Sequence, residues 1–174
     1  LVEKDYWVTH ALWALERSAL GIWFKGGTSL SKGFGLIERF SEDLDLHIEP
    51  GKAQGVPPVR SWTSMNRGPI KNRRAFFEAL EQAIDVPHAR VSLEAQSIDK
   101  RSRAARYRVA YPGLFLKDLG PGIRPFVLLE VGAARVTPHV TRTLSSFVHD
   151  WLEKRGQLGE VSDNRPQVRC VHPL

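Results

Sequence analysis

The sequence predicts an α+β protein in which a mixed β-sheet is flanked by helices. Two patterns favour this class: apolar residues recur with helical spacing in some segments and alternate with polar residues in others. The expected helices cover about residues 2–20 and 70–84, the expected strands cover 22–25, 43–48 and 125–132, and an expected hairpin pairs 89–98 with 103–111. No internal repeat or low-complexity tract interrupts the 174 residues, so we expect one domain, 1–174.

The first helix and the first strand lead into a glycine turn. Ile22–Lys25 is typical of a short buried strand, and it runs directly into the sequence Gly26, Gly27, Thr28, Ser29. Two glycines let the backbone pass close to a phosphate group, and the threonine or the serine can cap a short helix that continues to about Lys32. We expect amides and a hydroxyl to face a phosphate here, with positive charge from Lys32 or Lys25. Such a turn on its own more often only caps a helix.

The next strand carries two aspartates on one face. Asp43 and Asp45 alternate with leucines, so both carboxylates project from the same surface, about 6–7 Å apart at the backbone. Like charges held this close repel each other, so the pair costs stability unless a cation lies between them. Mg²⁺ or Mn²⁺ fits, because these ions prefer carboxylate, water and phosphate oxygens. A chance pair of surface aspartates on an edge strand is the alternative.

A third carboxylate is expected from Glu130. It is the only charged residue in the apolar strand Pro125–Gly132, and buried carboxylates rarely occur without a partner. It can therefore complete a metal site with the two aspartates. Alternatively, it pairs with Arg135 or Arg124 at the ends of its strand.

The remaining elements follow from turn and capping residues. Residues 49–69, rich in glycine and proline, predict a long loop over the site entrance, and the helix at 70–84 stops before Pro87. Ser145 or Ser146 can cap a last helix through Lys154, and a final strand is expected at 167–171.

The charge and the cysteine content limit the kinds of binding partner and the cellular compartment that we expect. Lys and Arg outnumber Asp and Glu by 25 to 19, and the high pI of about 9.8 favours an anionic partner such as RNA or a nucleotide. Cys170 is the only cysteine, which excludes an intrachain disulfide and fits a reducing cytoplasm. No apolar run reaches the roughly 20 residues that cross a bilayer, so no membrane partner is expected.

Basic residues gather in two stretches. The first contains Arg60, Arg67, Lys71, Arg73 and Arg74, and the second contains Lys100, Arg101, Arg103, Arg106 and Arg108. Both could be solvated faces. Their functional interpretation is a groove that follows a phosphate backbone and guides an RNA end to the metals.

The histidines predict no zinc site. His47 shares the face of the two aspartates and is either a phosphate contact or, as is more common for a lone strand histidine, structural. The others, His149 among them, have no ligand spacing such as His-x-x-x-His.

Three stretches together resemble the nucleotidyltransferase toxins of the AbiEii/AbiGii type, found in abortive-infection and type IV toxin–antitoxin systems. They are Glu3–Val8, Phe24–Lys32 and Arg39–Leu46, with a weaker likeness in Leu128–Arg135. The resemblance implies a nucleotidyltransferase fold like that of DNA polymerase β. It also implies nucleotide binding by the glycine turn and metal binding by the two aspartates.

The resemblance further implies an acceptor and a partner. The expected acceptor is the 3′ end of a tRNA, the expected effect is growth arrest, and a separately encoded antitoxin would restrain the enzyme. Members of the family usually continue into a helical region with a Glu-Lys motif, whereas this sequence ends at Leu174. We therefore expect the C-terminal helical portion to be missing.

The resulting hypothesis is a metal-dependent transfer of a nucleoside monophosphate. An acceptor hydroxyl attacks the α-phosphate of a nucleoside triphosphate and pyrophosphate leaves, with Asp43, Asp45 and Glu130 at the metals. The alternatives are transfer to a small molecule, as in antibiotic-modifying enzymes, and an inactive domain that only binds nucleotide or RNA.

Overall fold

The computed structural model describes residues 1–38, 43–115 and 123–173. Its helices are α1 (Val2–Glu16), α2 (Gly26–Thr28, continued by a π-helical turn at Ser29–Gly33), α3 (Arg67–Ala83) and α4 (Phe147–Glu153). Its strands are β1 (Gly21–Lys25), β2 (Asp43–Glu49), β3 (Arg90–Leu93), β4 (Ala104–Ala110), β5 (Val127–Gly132), β6 (His139–Thr143) and β7 (Gln167–Val171). Residues 39–42, which belong to one stretch that carries the family resemblance, lie outside the described residues.

All seven of these strands form one mixed sheet in the order β3-β4-β5-β2-β1-β7-β6. β1 pairs with β7, and β2 pairs with β5, in parallel, while the other neighbours are antiparallel. The predicted α+β class and mixed sheet are confirmed. The central strands β1, β2 and β5 carry the residues singled out from the sequence.

The two faces of the sheet differ sharply in polarity. On one face, Leu44 of β2, Tyr107 of β4 and Leu129 of β5 are fully buried and occupy paired positions. This face joins one core with apolar residues of α1 and α3, among them Leu12 and Phe77. Because strand side chains alternate, the neighbouring residues project to the other face, where the charged side chains lie.

Two helix boundaries differ from the predictions, the strand expected over 89–98 covers only Arg90–Leu93, and one strand was not predicted. Helix α1 ends at Glu16, four residues early, and α3 begins at Arg67 because Pro69 is tolerated in the first turn of a helix, where its missing N–H has no helical partner. Strand β6 was not predicted at all. It lies at the edge of the sheet with mostly exposed residues, so it lacks the apolar alternation that marks a strand.

The loop between β2 and α3 is anchored by a buried arginine. Arg73 of α3 is fully buried and donates to the carbonyl oxygens of Ser61 and Ser64 in this loop, at 2.6 and 3.1 Å from Nη1. It also donates to the carbonyls of Arg101 and Ser102, just before β4. Arg73 was predicted to belong to an exposed basic stretch, and this is wrong, because its guanidinium is occupied by backbone carbonyls inside the protein.

Candidate active site

Four charged residues stand side by side across the polar face of the sheet. Lys25 of β1 pairs with Asp45 of β2, Asp45 pairs with Glu130 of β5, and Glu130 pairs with Arg106 of β4. Paired positions in neighbouring strands lie about 4.8 Å apart and point to the same face. This charged row therefore brings Asp45 and Glu130 together, as predicted, and flanks them with two cations.

The cations contact the carboxylates directly. Arg106 Nε lies 2.6 Å from Glu130 Oε1, and Lys25 Nζ lies 3.9 Å from Asp45 Oδ1. Asp43, two residues before Asp45 on the same face, binds Arg124 at 2.9 Å between Oδ2 and Nη2. The alternative predicted for Glu130, a pair with Arg135 or Arg124, is thus corrected: the partner is Arg106 on the adjacent strand.

All three carboxylates are partly shielded from solvent. The side chains of Asp43, Asp45 and Glu130 are between 30% and 34% exposed. Burial raises the pKa of the Asp45 carboxyl above its usual range, Lys25 opposes this shift, and the carboxylates of Glu130 and Asp43 add to it. The negative charges of Asp43 and Glu130 therefore both raise the pKa of Asp45, as is expected when three carboxylates lie close together.

Gly26 closes the glycine turn against this cluster. Its φ of +73° lies in the left-handed region, and a Cβ built there would overlap the carboxylate of Asp45, only 2.6 Å from Cγ. Lys25 and Gly26 thus pass directly beside Asp45, and the helical segment α2 begins at that point. Only glycine fits here, for reasons of both conformation and space.

The two hydroxyl residues of the turn face inward. Thr28 and Ser29 are each 1% exposed, and the Thr28 hydroxyl donates to the carbonyl of Asp43 at 2.5 Å. Ser29 lies against Cys170 of β7. Their side chains therefore fix the turn to the sheet, and a phosphate reaching this turn would meet its backbone.

The structure does not bring Lys32 to the carboxylates. Its ammonium lies 2.5 Å from Oδ1 of the buried Asp5 and donates to the Ser145 carbonyl at 3.1 Å. These residues line a separate cavity of about 530 Å³ between α1, the π-helical turn and α4. Of the two lysines considered for the triphosphate, Lys25 is the one beside Asp45 and Glu130.

A cleft of about 690 Å³ opens over the charged row. Its walls include Lys25, Asp45, Glu130, Arg103 and Arg106. The sequence placed the two arginines in a basic stretch expected to guide an RNA end to the metals, but did not predict that Arg106 pairs with Glu130. The usable indication was the alternation of β4, where Arg106 and Tyr107 must face opposite sides.

His47 is structural in this arrangement. It is 3% exposed, its Nδ1 lies 3.0 Å from the carbonyl oxygen of Gly132, and its ring packs between Trp23 and Trp62. The imidazole is therefore enclosed by aromatic rings, two residues along the strand from Asp45.

Hard oxygen ligands are available for a divalent ion at Asp43, Asp45 and Glu130, which suits Mg²⁺ or Mn²⁺. In the described part of the chain, however, the tightest group of candidate ligands lies elsewhere. His149, Asp150 and Glu153 on α4 have ligand atoms that all lie within 4.8 Å of one another. The predicted three do not meet this distance, and Arg124 and Arg106 bind Asp43 and Glu130. A metal would draw those carboxylates away from their arginines.

Known proteins resemble this chain in sequence and in fold. Residues 11–173 match the family described as nucleotidyl transferase AbiEii toxin of type IV toxin–antitoxin systems. The fold is similar to that of MenT4, a nucleotidyltransferase toxin from Mycobacterium tuberculosis, with a TM-score of 0.55 and 18% identity. The match covers 98% of this chain and 48% of MenT4, so this chain spans about half the length of that relative.

No curated protein sequence is similar to this chain. Within the described residues, no helix is both long and apolar enough to cross a bilayer.

Proposed function

Because this chain belongs to the AbiEii family of nucleotidyl transferase toxins, we propose that it moves a nucleoside monophosphate from a nucleoside triphosphate to an acceptor hydroxyl. The observation that carries the proposal is the pairing of Asp45 with Glu130 beside the Gly26 turn, with Asp43 on the same face. Carboxylates next to a tight glycine turn can bind a cation and a phosphate at one point.

Asp43, Asp45 and Glu130 would hold Mg²⁺ or Mn²⁺. When bound, the ion offsets charge on the phosphate oxygens and on the entering and leaving atoms. Arg106 and Arg124 balance the carboxylates in the structure described here. If Glu130 bound the ion, its partner Arg106 would be able to contact the anionic triphosphate, for which Arg is well suited.

The glycine turn and Lys25 would position the triphosphate. Backbone amides at Gly26, Gly27, Thr28 and Ser29 stand at the start of a helical segment, where anions bind favourably. Lys25 adds a cation 3.9 Å from Asp45, at the mouth of the same cleft. Glu130 would also orient the acceptor hydroxyl or accept its proton. Lys32 takes no part in this proposal, because Asp5 holds it elsewhere.

We propose an RNA acceptor, most specifically a tRNA 3′ end. Arg103 and Arg106 form one wall of the cleft, and the exposed Lys100 and Arg101 precede them on the chain. Such a basic approach would guide a phosphate backbone to the carboxylates without reading its sequence. A cognate antitoxin and a cytoplasmic place of action follow from the same proposal.

The test uses labelled nucleoside triphosphates, total RNA and Mg²⁺. We expect the label to enter RNA with the wild-type protein, and Asp45→Asn to lower the rate by about 10²–10³-fold, since it removes a charged ligand of the ion that would offset charge at the reacting phosphate. Asp85→Asn is the control, because Asp85 is exposed and remote from the charged row. Circular dichroism checks that both variants remain folded.

The outcomes separate the candidate functions. Label in a small product would indicate a small-molecule acceptor and contradict the RNA proposal. Nucleotide binding that neither requires Mg²⁺ nor leads to transfer would indicate an inactive binding domain. Transfer by Asp45→Asn at the wild-type rate would show that the carboxylate assignment is wrong.

A further inference from the structure

Helix α4 places an imidazole and two carboxylates close together, outside the charged row. The ligand atoms of His149, Asp150 and Glu153 all lie within 4.8 Å of one another. We propose that these three side chains form a binding site for a transition-metal ion such as Zn²⁺, independent of the metal proposed for the active site.

The buried imidazole is the main argument. His149 is 4% exposed, and its Nδ1 has no hydrogen-bond partner among the described residues. Buried polar atoms are normally satisfied, so an unpartnered nitrogen in this position requires an explanation. Nδ1 faces Asp150 Oδ1 at 3.6 Å, too far for a hydrogen bond.

That separation suits a shared metal ion. Zinc binds nitrogen and oxygen at about 2.0–2.2 Å in a tetrahedral arrangement, which places neighbouring ligand atoms roughly 3.3–3.5 Å apart. The 3.6 Å between His149 Nδ1 and Asp150 Oδ1 is close to this value. Glu153 completes the set from the next turn of the helix, because residues three and four apart lie on the same side.

The helix terminus fixes the imidazole. Ser146 caps α4, and its hydroxyl accepts a hydrogen bond from the His149 amide at 3.1 Å. Asp5 accepts a hydrogen bond from the Phe147 amide at 2.8 Å and thereby ties the first turn to α1. The histidine is therefore held by the fold, while Asp150 and Glu153 remain half exposed and free to adjust.

The donor set selects the kind of ion. An imidazole nitrogen together with carboxylate oxygens suits Zn²⁺ and related transition metals, which bind both atom types, whereas Mg²⁺ prefers oxygen ligands alone. Glu153 has one competing contact in the described structure, an exposed pair with Arg165 at 3.7 Å. Because Asp150 also lines the cavity of about 530 Å³, an open coordination position there would face water.

Spacing between histidines gives no indication of this site, because the site contains only one histidine. The ligands here are one histidine and two acids at positions i, i+1 and i+4 of a short helix. Exposed acids at that spacing are common, and only the burial of His149 distinguishes them.

The test is a calorimetric titration of tag-free protein with Zn²⁺ in excess Mg²⁺, in an Asp45→Asn background that weakens the active-site carboxylates. We expect one Zn²⁺ per chain, an affinity at least tenfold lower after Asp150→Asn or Glu153→Gln, and no measurable binding after His149→Ala. His139→Ala and Glu78→Gln are controls, because both residues are exposed and outside the cluster.

Visible absorption of bound Co²⁺ gives a second readout that does not depend on enzymatic activity. It should show four-coordinate ligation that is lost in the same variants. Absence of Zn²⁺ binding in the Asp45→Asn background would overturn the proposal. So would binding that Asp150→Asn and Glu153→Gln leave unchanged, and since these two residues are exposed, misfolding cannot obscure that result.

Discussion

The carboxylates Asp43, Asp45 and Glu130 each have a positively charged partner on another segment of the chain. The sequence of their own strands does not show these partners. Considered on β2 alone, Asp43 and Asp45 repel each other and call for an external cation. In the folded chain, Arg124, Arg106 and Lys25 supply that charge from other segments. These cations offset the repulsion between the carboxylates, and a metal would have to compete with them for its ligands.

Gly26→Ala should strongly lower the rate of nucleotidyl transfer. The new Cβ would overlap the Asp45 carboxylate and would sit at a positive φ, so Asp45 must move away from Glu130. We expect loss of activity similar to that of Asp45→Asn, with a loss of stability of about 1–2 kcal/mol or more from the left-handed conformation. Transfer assays and urea denaturation measure the two effects.

Gly55→Ala is the matched control for Gly26→Ala. Gly55 has a similar φ of +79°, but nothing lies within 4 Å of the added Cβ. It should show the conformational cost alone, with normal transfer. Equal activity in the two variants would mean that contact with Asp45 is irrelevant to catalysis.

Helix α3 shows how one buried side chain can organise two loops. Arg73 holds the β2–α3 loop and the segment before β4, and β4 in turn carries Arg106 of the charged row. The loop that we expected to cover the site entrance is thus tied to the interior. Its Trp62 packs on Phe76 and Phe77 of the same helix.

Arg73→Met should destabilise the protein strongly. The substitution leaves several buried carbonyl oxygens without donors, and losses of about 3–5 kcal/mol are typical when a buried charged partner is removed. Arg74→Met, one residue along, removes only an exposed pair with Glu78 and should cost about 0.3–0.5 kcal/mol. Urea unfolding of the two variants gives the comparison, and equal losses would contradict the anchoring role.

The elements that sequence predicts well are those with an apolar pattern of their own. β1, β2, β4, β5 and β7 have buried alternate or continuous apolar residues, and Ser146 supplies the expected cap of α4. β6 has no such pattern, because its stability comes from backbone pairing with β7 at an edge of the sheet. Local propensity contains no information about that pairing.

The residues of the candidate site also fall into those that the sequence indicates and those that it does not. The two aspartates, Glu130 and the glycine turn can be found from sequence, since each stands out against its own neighbours. Arg106 and Arg124 cannot be assigned as their partners, because the pairing depends on strand order and register across the sheet. Lys32 was wrongly favoured by its closeness in sequence, since the helical turn carries it to Asp5.

At the scale of the whole molecule, some positively charged side chains are neutralised by ion pairs and others are exposed to a binding partner. Arg106 and Arg108 are paired with Glu130 and Glu94, whereas Lys100 and Arg101 are exposed near the cleft. The formal net charge of +6 therefore acts on a partner mainly through its unpaired surface residues.

RNA binding should weaken steadily as salt rises. For a single strand, the logarithm of the affinity should fall with a slope of about −0.7 per neutralised phosphate. Lys100→Glu should make the slope shallower by about one phosphate, whereas Lys154→Glu, the same change beyond α4, should leave the slope unaltered. Filter binding at several salt concentrations measures this, and identical slopes in all three proteins would exclude the Lys100 side of the cleft as the path of RNA.

The reactivity of the Cys170 thiol reports how often the sheet opens to solvent. It is fully buried on β7, beside β1, and burial raises the pKa of its thiol while the nearby Ser29 hydroxyl partly opposes the shift. At pH 8 less of the thiol is therefore ionised than in an exposed cysteine, and the reactive thiolate forms only as pH rises further. Reaction with a disulfide reagent thus requires opening of the sheet.

We expect Cys170 to react more than about 10³-fold more slowly in the folded protein than in guanidinium chloride, since open states are rare in a domain of ordinary stability. Lys154→Cys, which adds an exposed thiol, should react in two phases, one fast and one as slow as the wild type. A fast reaction of both thiols would mean that β7 opens separately from the rest of the sheet. In that case Ser29 of the glycine turn, which lies against Cys170, would lose this contact whenever β7 opens.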